Sequence, residues 1–223
     1  MTATLTYVNG RGLGERIRFV LYAAGIEFNE VFIQSKSEFE SLKNSGKLIF
    51  GQLPILEIDG KVITQTDAMI RYIARHHNLN GRNDDDVVRL DMVYDGIKDC
   101  AISRIAVGLE FGTEEEKVQS KNGMKTQVAK YFPKFEKILK DNLEGTGNYL
   151  VGSQLTFVDV IMAHEFDWFY DVLGEDLLND YPTLKKYRDS LVLQPNIAKF
   201  LSSPQKKPYP SSDYVAMAKS IFR

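Results

Sequence analysis

The chain has 223 residues, of which 43% are hydrophobic and 26% charged, a composition typical of one large or two small globular domains. Its 28 basic and 30 acidic residues give a net charge of -2, so no basic field favours nucleic acid or an anionic membrane as a partner. No segment approaches the roughly 18 to 20 apolar residues of a membrane helix, and the N-terminus has no apolar signal core. We therefore expect a cytoplasmic protein that binds small molecules or a second copy of itself.

The first elements alternate between strand and helix. "TLTYVN" and "NEVFIQ" are rich in β-favouring residues. Between them, "GERIRFVLYAAG" places Ile17, Val20, Leu21 and Ala24 at the spacing of a buried helix face, and Gly25 ends the pattern. These segments predict a βαβ unit.

The glycines of "LTYVNGRGLGERIRF" resemble a phosphate-binding loop at first sight. A dinucleotide fingerprint requires G-x-G-x-x-G, and here Gly10 and Gly12 fit but Glu15 occupies the third position. No G-K-[ST] follows, so the Walker pattern also fails. The sequence disfavours a nucleotide site and favours a tight strand-to-helix turn.

The next segments complete a small domain. "SEFESLKNSGK" predicts a short helix, and "PILEIDGKVIT" predicts two strands joined by a turn at Asp59 and Gly60. "QTDAMIRYIARHHNL" predicts a helix whose first N–H groups are capped by Thr66 or Asp67. We expect a four-stranded mixed sheet with helices packed against it.

Beyond "GRNDDD", near residue 82, strand signals nearly vanish, so we predict domains at residues 1–81 and 82–223. Helical periodicity runs through Val87, Leu90, Tyr94, Ile97, Ala101 and Ile105. Asp91, Asp95 and Asp99 form an acidic row that fits a solvated helix face. Thr156 and Asp159 resemble a capping box. The second domain is predicted to be an all-helical bundle.

The single cysteine, Cys100, excludes internal disulfides and a C-x-x-C redox pair. It also leaves too few soft ligands for a structural zinc site, so we expect no bound metal. A thiol-disulfide oxidoreductase of the usual dithiol kind is excluded for the same reason.

The order of elements, with Tyr7 ending the first strand and "FGQLPILEIDG" preceding the hairpin, resembles the cytosolic glutathione transferases over essentially the whole chain. "YFPKFEKILK" and the C-terminal "PQKKPYPSSDYVAMAKSIFR" are similar to segments of the alpha class. The resemblance implies a thioredoxin-like first domain and an all-helical second domain. It also implies conjugation of glutathione to hydrophobic electrophiles in detoxification of xenobiotics, with glutathione as co-substrate and no cofactor.

The resemblance assigns Tyr7 as the catalytic residue, donating its hydroxyl hydrogen bond to the glutathione sulfur. Hydrogen bonding to a charged form lowers the pKa of an acid, so this contact favours thiolate. Without the resemblance, a strand tyrosine is most simply a packing residue. Alpha-class sequences mostly carry arginine where this chain has Leu13, and "RGLGE" is more similar to the mu class there. Peroxidase and isomerase activities and the exact class therefore stay open.

Glutathione carries two carboxylates, one ammonium and one thiol, and the chain offers a candidate for each. The resemblance implies a cis Leu53–Pro54 bond, with the Leu53 backbone pairing the peptide; from sequence alone a trans turn is the simpler expectation. A helix N-terminus favours an anion, although simple capping also explains the residues there. The implied glutathione-binding residues are Tyr7, Lys43, Gln52, Leu53, Pro54, Gln65, Thr66, Asp99 and Lys130.

The resemblance also implies a two-fold homodimer, because the family aspartate matching Asp99 reaches the ammonium of glutathione bound by the neighbouring subunit. Phe50 matches the aromatic residue that, in the family, inserts into a pocket of the neighbouring subunit. The residues that match the wall of this pocket are Met92, Phe135 and Ile138. The implied hydrophobic substrate wall is Val8, Gly10, Ile105, Leu109, Val215, Ala218 and Phe222, for which core packing is the simpler alternative.

A different class of function fits the same fold, namely a non-catalytic carrier of hydrophobic ligands or a structural protein. The complete set of implied glutathione-binding residues favours the enzyme, because a carrier need not keep it. The sequence does not identify the electrophile, since apolar pockets discriminate weakly between substrates. Whether the terminal helix is ordered without ligand is also left open.

Overall fold

The computed structural model describes residues 2–101, 103–145 and 147–222, without the side chains of residues 103–105 and 144. The chain forms two compact units. Unit 1 comprises Met1–His77 and Pro195–Arg223, and unit 2 comprises Asn78–Gln194. The last segment of the chain therefore packs with unit 1. The domain ranges 1–81 and 82–223 remain a prediction from the sequence.

Unit 1 contains a four-stranded mixed sheet, as predicted. Its strands are β1 (Ala3–Tyr7), β2 (Phe28–Phe32), β3 (Ile55–Ile58) and β4 (Lys61–Thr64), in the order β2-β1-β3-β4. β1 runs parallel to β2, with Tyr7 opposite Phe32, and antiparallel to β3. The β3–β4 turn is the predicted hairpin, in which Asp59 and Gly60 have φ values of 51° and 72°.

The described residues of unit 1 form five helices: α1 (Gly12–Ala23), α2 (Lys36–Asn44), α3 (Thr66–His76), α9 (Pro195–Leu201) and α10 (Ser212–Phe222). Three members of the predicted apolar face of α1, Ile17, Val20 and Leu21, are fully inaccessible, whereas Ala24 is the half-buried C-cap. Helix α1 packs against α3 and α9, and α10 packs against α2. The C-terminal helix thus closes one side of the unit that holds Tyr7.

Helices are the only regular secondary structure among the described residues of unit 2. Its helices are α4 (Asp84–Cys100), α5 (Ser103–Phe111), α6 (Glu114–Glu144), α7 (Phe157–Leu173) and α8 (Pro182–Val192), with a 3-10 turn at Glu175–Leu178. The helix predicted to run through Ile105 ends earlier, because Ala101 leaves helical geometry with a ψ of 43°. Periodicity alone predicted one helix where the chain forms two.

A buried carboxylate fixes the start of α7. Oδ2 of Asp159 accepts hydrogen bonds from the backbone N–H and hydroxyl of Thr156, at 2.8 and 2.6 Å. Its Oδ1 accepts from the Leu150 backbone N–H at 2.9 Å and from the Tyr187 hydroxyl at 2.5 Å. Burial raises the pKa of Asp159, although the four donors oppose this effect. The predicted pairing of Thr156 with Asp159 therefore also joins α8 to α7.

Across the described residues, no helix is long and apolar enough to cross a membrane. In the same part of the chain, no group of three or more His, Cys, Asp or Glu side chains is arranged to hold a metal ion.

Candidate active site

The end of β1 places Tyr7 against the N-terminus of α1. The hydroxyl oxygen of Tyr7 accepts a hydrogen bond from the backbone N–H of Leu13 at 3.2 Å. Leu13 is the second residue of α1, so the hydroxyl lies at the positive end of the helix dipole. A phenol that accepts a hydrogen bond can still donate its own hydrogen, and the accepted bond polarises it further. This position suits the stabilisation of an anion.

Three glycines make room for two aromatic rings in this region. A Cβ built on Gly12 would lie 2.4 Å from the Tyr7 hydroxyl oxygen, and one on Gly14 would lie 2.5 Å from Tyr7 Cδ1. A Cβ on Gly10 would lie 1.9 Å from Cε2 of Tyr214 in α10. The glycine motif therefore permits close packing of Tyr7 and Tyr214, which explains its similarity to a phosphate loop without nucleotide chemistry.

An apolar cluster lies beneath these rings. Its buried members are Val8, Ile33, Phe39, Leu48, Leu53, Ile55 and Ile221, with Tyr7, Leu42, Tyr214 and Met217 packed partly buried against it. Residues of β1, α2 and α10 meet here, so the cluster holds Tyr7 on its apolar side. Packing and catalysis were alternative interpretations of Tyr7, but a ring anchored in this way can serve both.

The start of α3 has an unusual backbone. Gln65 occupies the N-cap position with a φ of 68° and no side-chain capping bond. A left-handed conformation is uncommon for a residue with a side chain, and such strain clusters at ligand sites. Thr66 is the first helical residue and is buried, so Gln65 holds the N-cap position that was predicted for Thr66 or Asp67. The side chain of Gln65 thus does not cap the positive end of α3.

The loop that carries the predicted residues Gln52, Leu53 and Pro54 contacts Gln65. The Nε2 of Gln65 donates to Oε1 of Gln52 at 3.3 Å, and the bond between Leu53 and Pro54 is cis, as the resemblance implied. The segment just before Pro54 thus lies next to the start of α3.

Lys43, on α2, borders the same loop. A Cβ built on Gly51 would lie 3.9 Å from Cε of Lys43. Its ammonium pairs with Glu40 at 3.1 Å, and its side chain is 39% exposed. The structure therefore brings Lys43 close to the turn that carries Gln52, on a surface open to solvent.

Unit 2 brings together the other two predicted polar residues. Oδ2 of Asp99 accepts a hydrogen bond from the Tyr131 hydroxyl at 3.2 Å. Nζ of Lys130 lies 4.8 Å from the centroid of the Tyr131 ring. Both predicted residues are exposed, and Tyr131, which the sequence analysis missed, contacts each of them.

A pocket of about 440 Å³ opens on unit 2 beside this group. Its lining includes the three residues predicted to receive an aromatic anchor, which are Met92, Phe135 and Ile138. The Met92 side chain is 70% exposed. In unit 1, the predicted anchor Phe50 is 63% exposed, a large value for an aromatic ring. The chain thus carries both an exposed ring and an open apolar pocket.

The residues predicted to form a hydrophobic substrate wall differ in exposure. Val8 and Ala218 are almost fully buried in unit 1, Gly10 lies under Tyr214, Val215 is half-buried, and Phe222 packs edge-on against Phe39. Leu109 is buried in unit 2, and the side chain of Ile105 lies outside the described part of the chain. Tyr214, which the sequence analysis did not name, packs directly against Gly10.

The only cysteine is unsuited to nucleophilic chemistry. Cys100 is buried at the end of α4, and burial, reinforced by the negative charge of Glu165, raises its pKa to about 12. At neutral pH it is a neutral thiol. Any reactive thiolate must therefore come from a bound substrate.

Comparison with known proteins identifies the family. The family model described as "Glutathione S-transferase, N-terminal domain" matches residues 3–75, and the model for the C-terminal domain matches residues 101–204. Glutathione S-transferase A4 of Mus musculus is 39% identical over 98% of this chain and 97% of its own, and glutathione S-transferase alpha-4 of Rattus norvegicus is 37% identical with the same coverage. The chain belongs to the glutathione S-transferase family. The names of both relatives agree with the predicted similarity to the alpha class.

A solved structure shares this fold of the glutathione S-transferases. The monomeric glutathione S-transferase Na-GST-3 of Necator americanus superposes with a TM-score of 0.77 and 27% identity, covering 94% of this chain and all of that one. The thioredoxin-like first domain and helical second domain predicted from sequence are therefore confirmed.

The sequence analysis missed a buried ionic cluster in this glutathione S-transferase. Arg18 of α1 is fully buried and bonds to Glu15, Glu30 and the Gly10 carbonyl. One signal was available, because Glu15 and Arg18 interrupt a predicted buried helix at the three-residue spacing of an ion pair. The remaining partner, Lys207, comes from the other end of the chain and had no such signal.

Proposed function

We propose that this glutathione S-transferase activates glutathione as a thiolate and conjugates it to hydrophobic electrophiles, with Tyr7 as the catalytic residue. The contact between the Tyr7 hydroxyl and the Leu13 N–H carries the proposal. It fixes the hydroxyl at the positive end of α1, where a hydrogen bond and a helix dipole act together on a bound sulfur. The thiolate then attacks an electrophilic carbon and forms a thioether.

Leu13 replaces the arginine that most alpha-class sequences carry. Its backbone N–H bonds to the Tyr7 hydroxyl, while its side chain is 42% exposed and brings no charge. Thiolate stabilisation in this chain accordingly depends on Tyr7 and on the backbone dipoles of α1. The ionised sulfur has no cationic side chain from this position.

The glutathione backbone is bound by the loop and helix ends of unit 1. The start of α3, at Gln65 and Thr66, binds the γ-glutamyl carboxylate through N–H groups and the helix dipole. Gln52 and Lys43 bind the glycyl carboxylate, and the backbone of Leu53, before the cis-bonded Pro54, pairs with the cysteinyl part. The left-handed Gln65 and its bond to Gln52 support this assignment.

The electrophile lies near the glycine loop, against apolar atoms contributed by α10. Val8, Gly10, Val215, Ala218 and Phe222 belong to this wall, together with the Tyr214 ring that covers Gly10. Ile105 and Leu109 stay predicted members of the wall. Apolar surface of this kind accepts compounds by size and shape, so several hydrophobic electrophiles are expected to react.

Turnover with glutathione and a panel of an aryl halide, an enal and a hydroperoxide tests the proposal. We expect saturable conjugation of at least one electrophile and loss of most of the rate in Tyr7→Phe. Binding of hydrophobic ligands without turnover of any of them would instead support the non-catalytic carrier.

We also propose that the protein acts as a two-fold homodimer in the cytoplasm. Phe50 of each subunit enters the partner's pocket lined by Met92, Phe135 and Ile138, and burial of an aromatic ring favours association. Asp99 and Lys130 then reach the neighbouring glutathione, where the carboxylate of Asp99 pairs with its ammonium. Na-GST-3 of Necator americanus is described as monomeric, so family membership alone does not decide the assembly.

A further inference from the structure

Four charged residues form a closed ionic cluster inside unit 1. Nε of Arg18 donates to Glu30 at 2.6 Å, and its Nη1 donates to Glu15 at 2.7 Å. The Lys207 ammonium lies 3.6 Å from the second oxygen of Glu30. The Lys207 backbone N–H donates to the second oxygen of Glu15 at 2.9 Å. These four residues carry two positive and two negative charges in a space nearly closed to solvent.

The cluster connects parts of the chain that are distant in sequence. Glu15 and Arg18 lie on α1, Glu30 lies on β2, and Lys207 lies in the segment that leads into α10. Arg18 and Glu15 are fully buried, and the Glu30 side chain is 8% exposed. Because an unpaired buried charge is strongly unfavourable, loss of any one member leaves its partners poorly compensated.

Arg18 also touches the glycine loop directly. Its Nη1 donates to the Gly10 carbonyl at 2.9 Å, and this bond is buried. The Tyr214 ring also packs against Gly10 and leaves no room for a Cβ there. The Arg18 guanidinium thus binds the glycine loop directly. Through Glu15 and Glu30 it also binds the Lys207 segment, which leads into α10 and so to Tyr214.

We propose that Arg18 is a positioning residue that seats α10 on the glycine loop and thereby shapes the electrophile site. The expected effect on the electrophile site rests on the proposed function. The packing of α10 against the glycine loop is a property of the fold and does not depend on that function. The planar fork of arginine serves three acceptors in fixed directions, which a lysine ammonium cannot reproduce. The proposal therefore predicts a requirement for the geometry of arginine as well as for its charge.

Hydrogen exchange on the full-length protein tests the seating of α10. We expect the amides of Ser212–Phe222 to exchange about tenfold faster or more in Arg18→Lys, while those of β1 and α3 keep their wild-type rates. Lys207→Met removes the cation at the rim of the cluster, where its side chain is 13% exposed. We expect it to accelerate exchange of the α10 amides by a smaller factor. This second variant keeps the test valid if Arg18→Lys folds poorly.

A variant in unit 2 provides the control. Glu136 accepts hydrogen bonds from the backbone N–H groups of Thr183 and Leu184, so Glu136→Gln disturbs another partly buried carboxylate outside unit 1. We expect it to leave α10 exchange unchanged. The proposal would be overturned if both cluster variants left the exchange rates of the α10 amides unchanged, or if they accelerated exchange equally throughout unit 1. It would also be overturned if Glu136→Gln accelerated α10 exchange as much as the cluster variants do.

Steady-state kinetics tests the consequence for the reaction. We expect Arg18→Lys and Lys207→Met to raise the KM for the electrophile about threefold or more and to leave the KM for glutathione unchanged. An equal rise in both constants would indicate a general loss of structure and overturn the positioning role. If the wild type shows no conjugation, the proposed function fails while hydrogen exchange still decides how α10 is seated.

Discussion

Gly14 and Tyr7 are in such close contact that a Cβ on Gly14 would lie 2.5 Å from Tyr7 Cδ1 and 3.0 Å from its Cγ. Both are ring atoms of a side chain that packs against the apolar cluster, so the ring cannot move aside freely. The backbone of Gly14 is not left-handed, which means that any cost of a side chain here is steric.

Gly14→Ala should therefore displace the Tyr7 ring and weaken its contact with the glutathione sulfur. We expect a loss of about 1 to 3 kcal/mol in unfolding free energy, the range for an overpacked core, and a raised pKa of the bound thiol. Denaturant unfolding and thiolate absorbance in the glutathione complex measure the two effects. Wild-type values for both would mean that the ring has space to move.

Tyr7→Phe should keep the fold and glutathione affinity while raising the pKa of the bound thiol toward its solution value. A hydrogen bond that lowers this pKa by about two units corresponds to about 2.7 kcal/mol, so thiolate at neutral pH falls up to about a hundredfold. The rate should fall by less, because a more basic thiolate is a better nucleophile.

Thiolate absorbance titrated with pH provides the measurement for Tyr7→Phe. Tyr72→Phe is a matched control, since it removes a hydroxyl that bonds to Asp59 on the exposed side of α3. An identical thiol pKa in Tyr7→Phe and wild type would leave Tyr7 as a packing residue and assign sulfur activation to the α1 backbone.

Lys43→Ala should weaken glutathione binding by about 1 to 3 kcal/mol, the range for one charge-assisted contact, with a smaller effect on the saturated rate. Calorimetry measures the dissociation constant. Lys47→Ala is the control, because Lys47 is also a partly exposed lysine with a glutamate partner, in this case Glu57. Equal affinity in both variants would place Lys43 on the solvated surface.

Phe50→Ala should dissociate the dimer at micromolar concentration. Each buried ring contributes about 2 to 3 kcal/mol by area, and a two-fold dimer contains two such contacts. Sedimentation velocity measures the assembly, and Ile49→Ala, which removes a neighbouring side chain that is 72% exposed, is the control. A fully dimeric Phe50→Ala would exclude Phe50 as anchor, and a monomeric wild type would remove the shared role of Asp99.

Cys100 should resist alkylation in the native protein. Its pKa is raised to about 12, so the thiolate fraction at pH 8 is about a thousandfold below that of an ordinary cysteine, and burial reduces access further. Mass spectrometry after iodoacetamide treatment, with and without denaturant, measures the difference. Rapid native alkylation would show that the end of α4 opens readily.

Local sequence patterns predicted the four strands of unit 1 and its helices α1, α2 and α3, and they predicted a helical unit 2. The buried face of α1, the hairpin at Asp59 and Gly60 and the pairing of Thr156 with Asp159 depend on residues a few positions apart, so periodicity and turn chemistry were sufficient. The break at Ala101 had no such signal, because the apolar period continues across it.

The sequence also disfavoured a phosphate loop, and its resemblance to the transferases predicted Tyr7, Gln52 and Gln65. Only the tertiary structure decided what the glycines accommodate, since Tyr214 comes from the opposite end of the chain. The same holds for the bond between Lys207 and Glu15, which are 192 residues apart. Contacts of this kind arise from packing and charge balance in three dimensions, and neither leaves a periodic trace along one sequence.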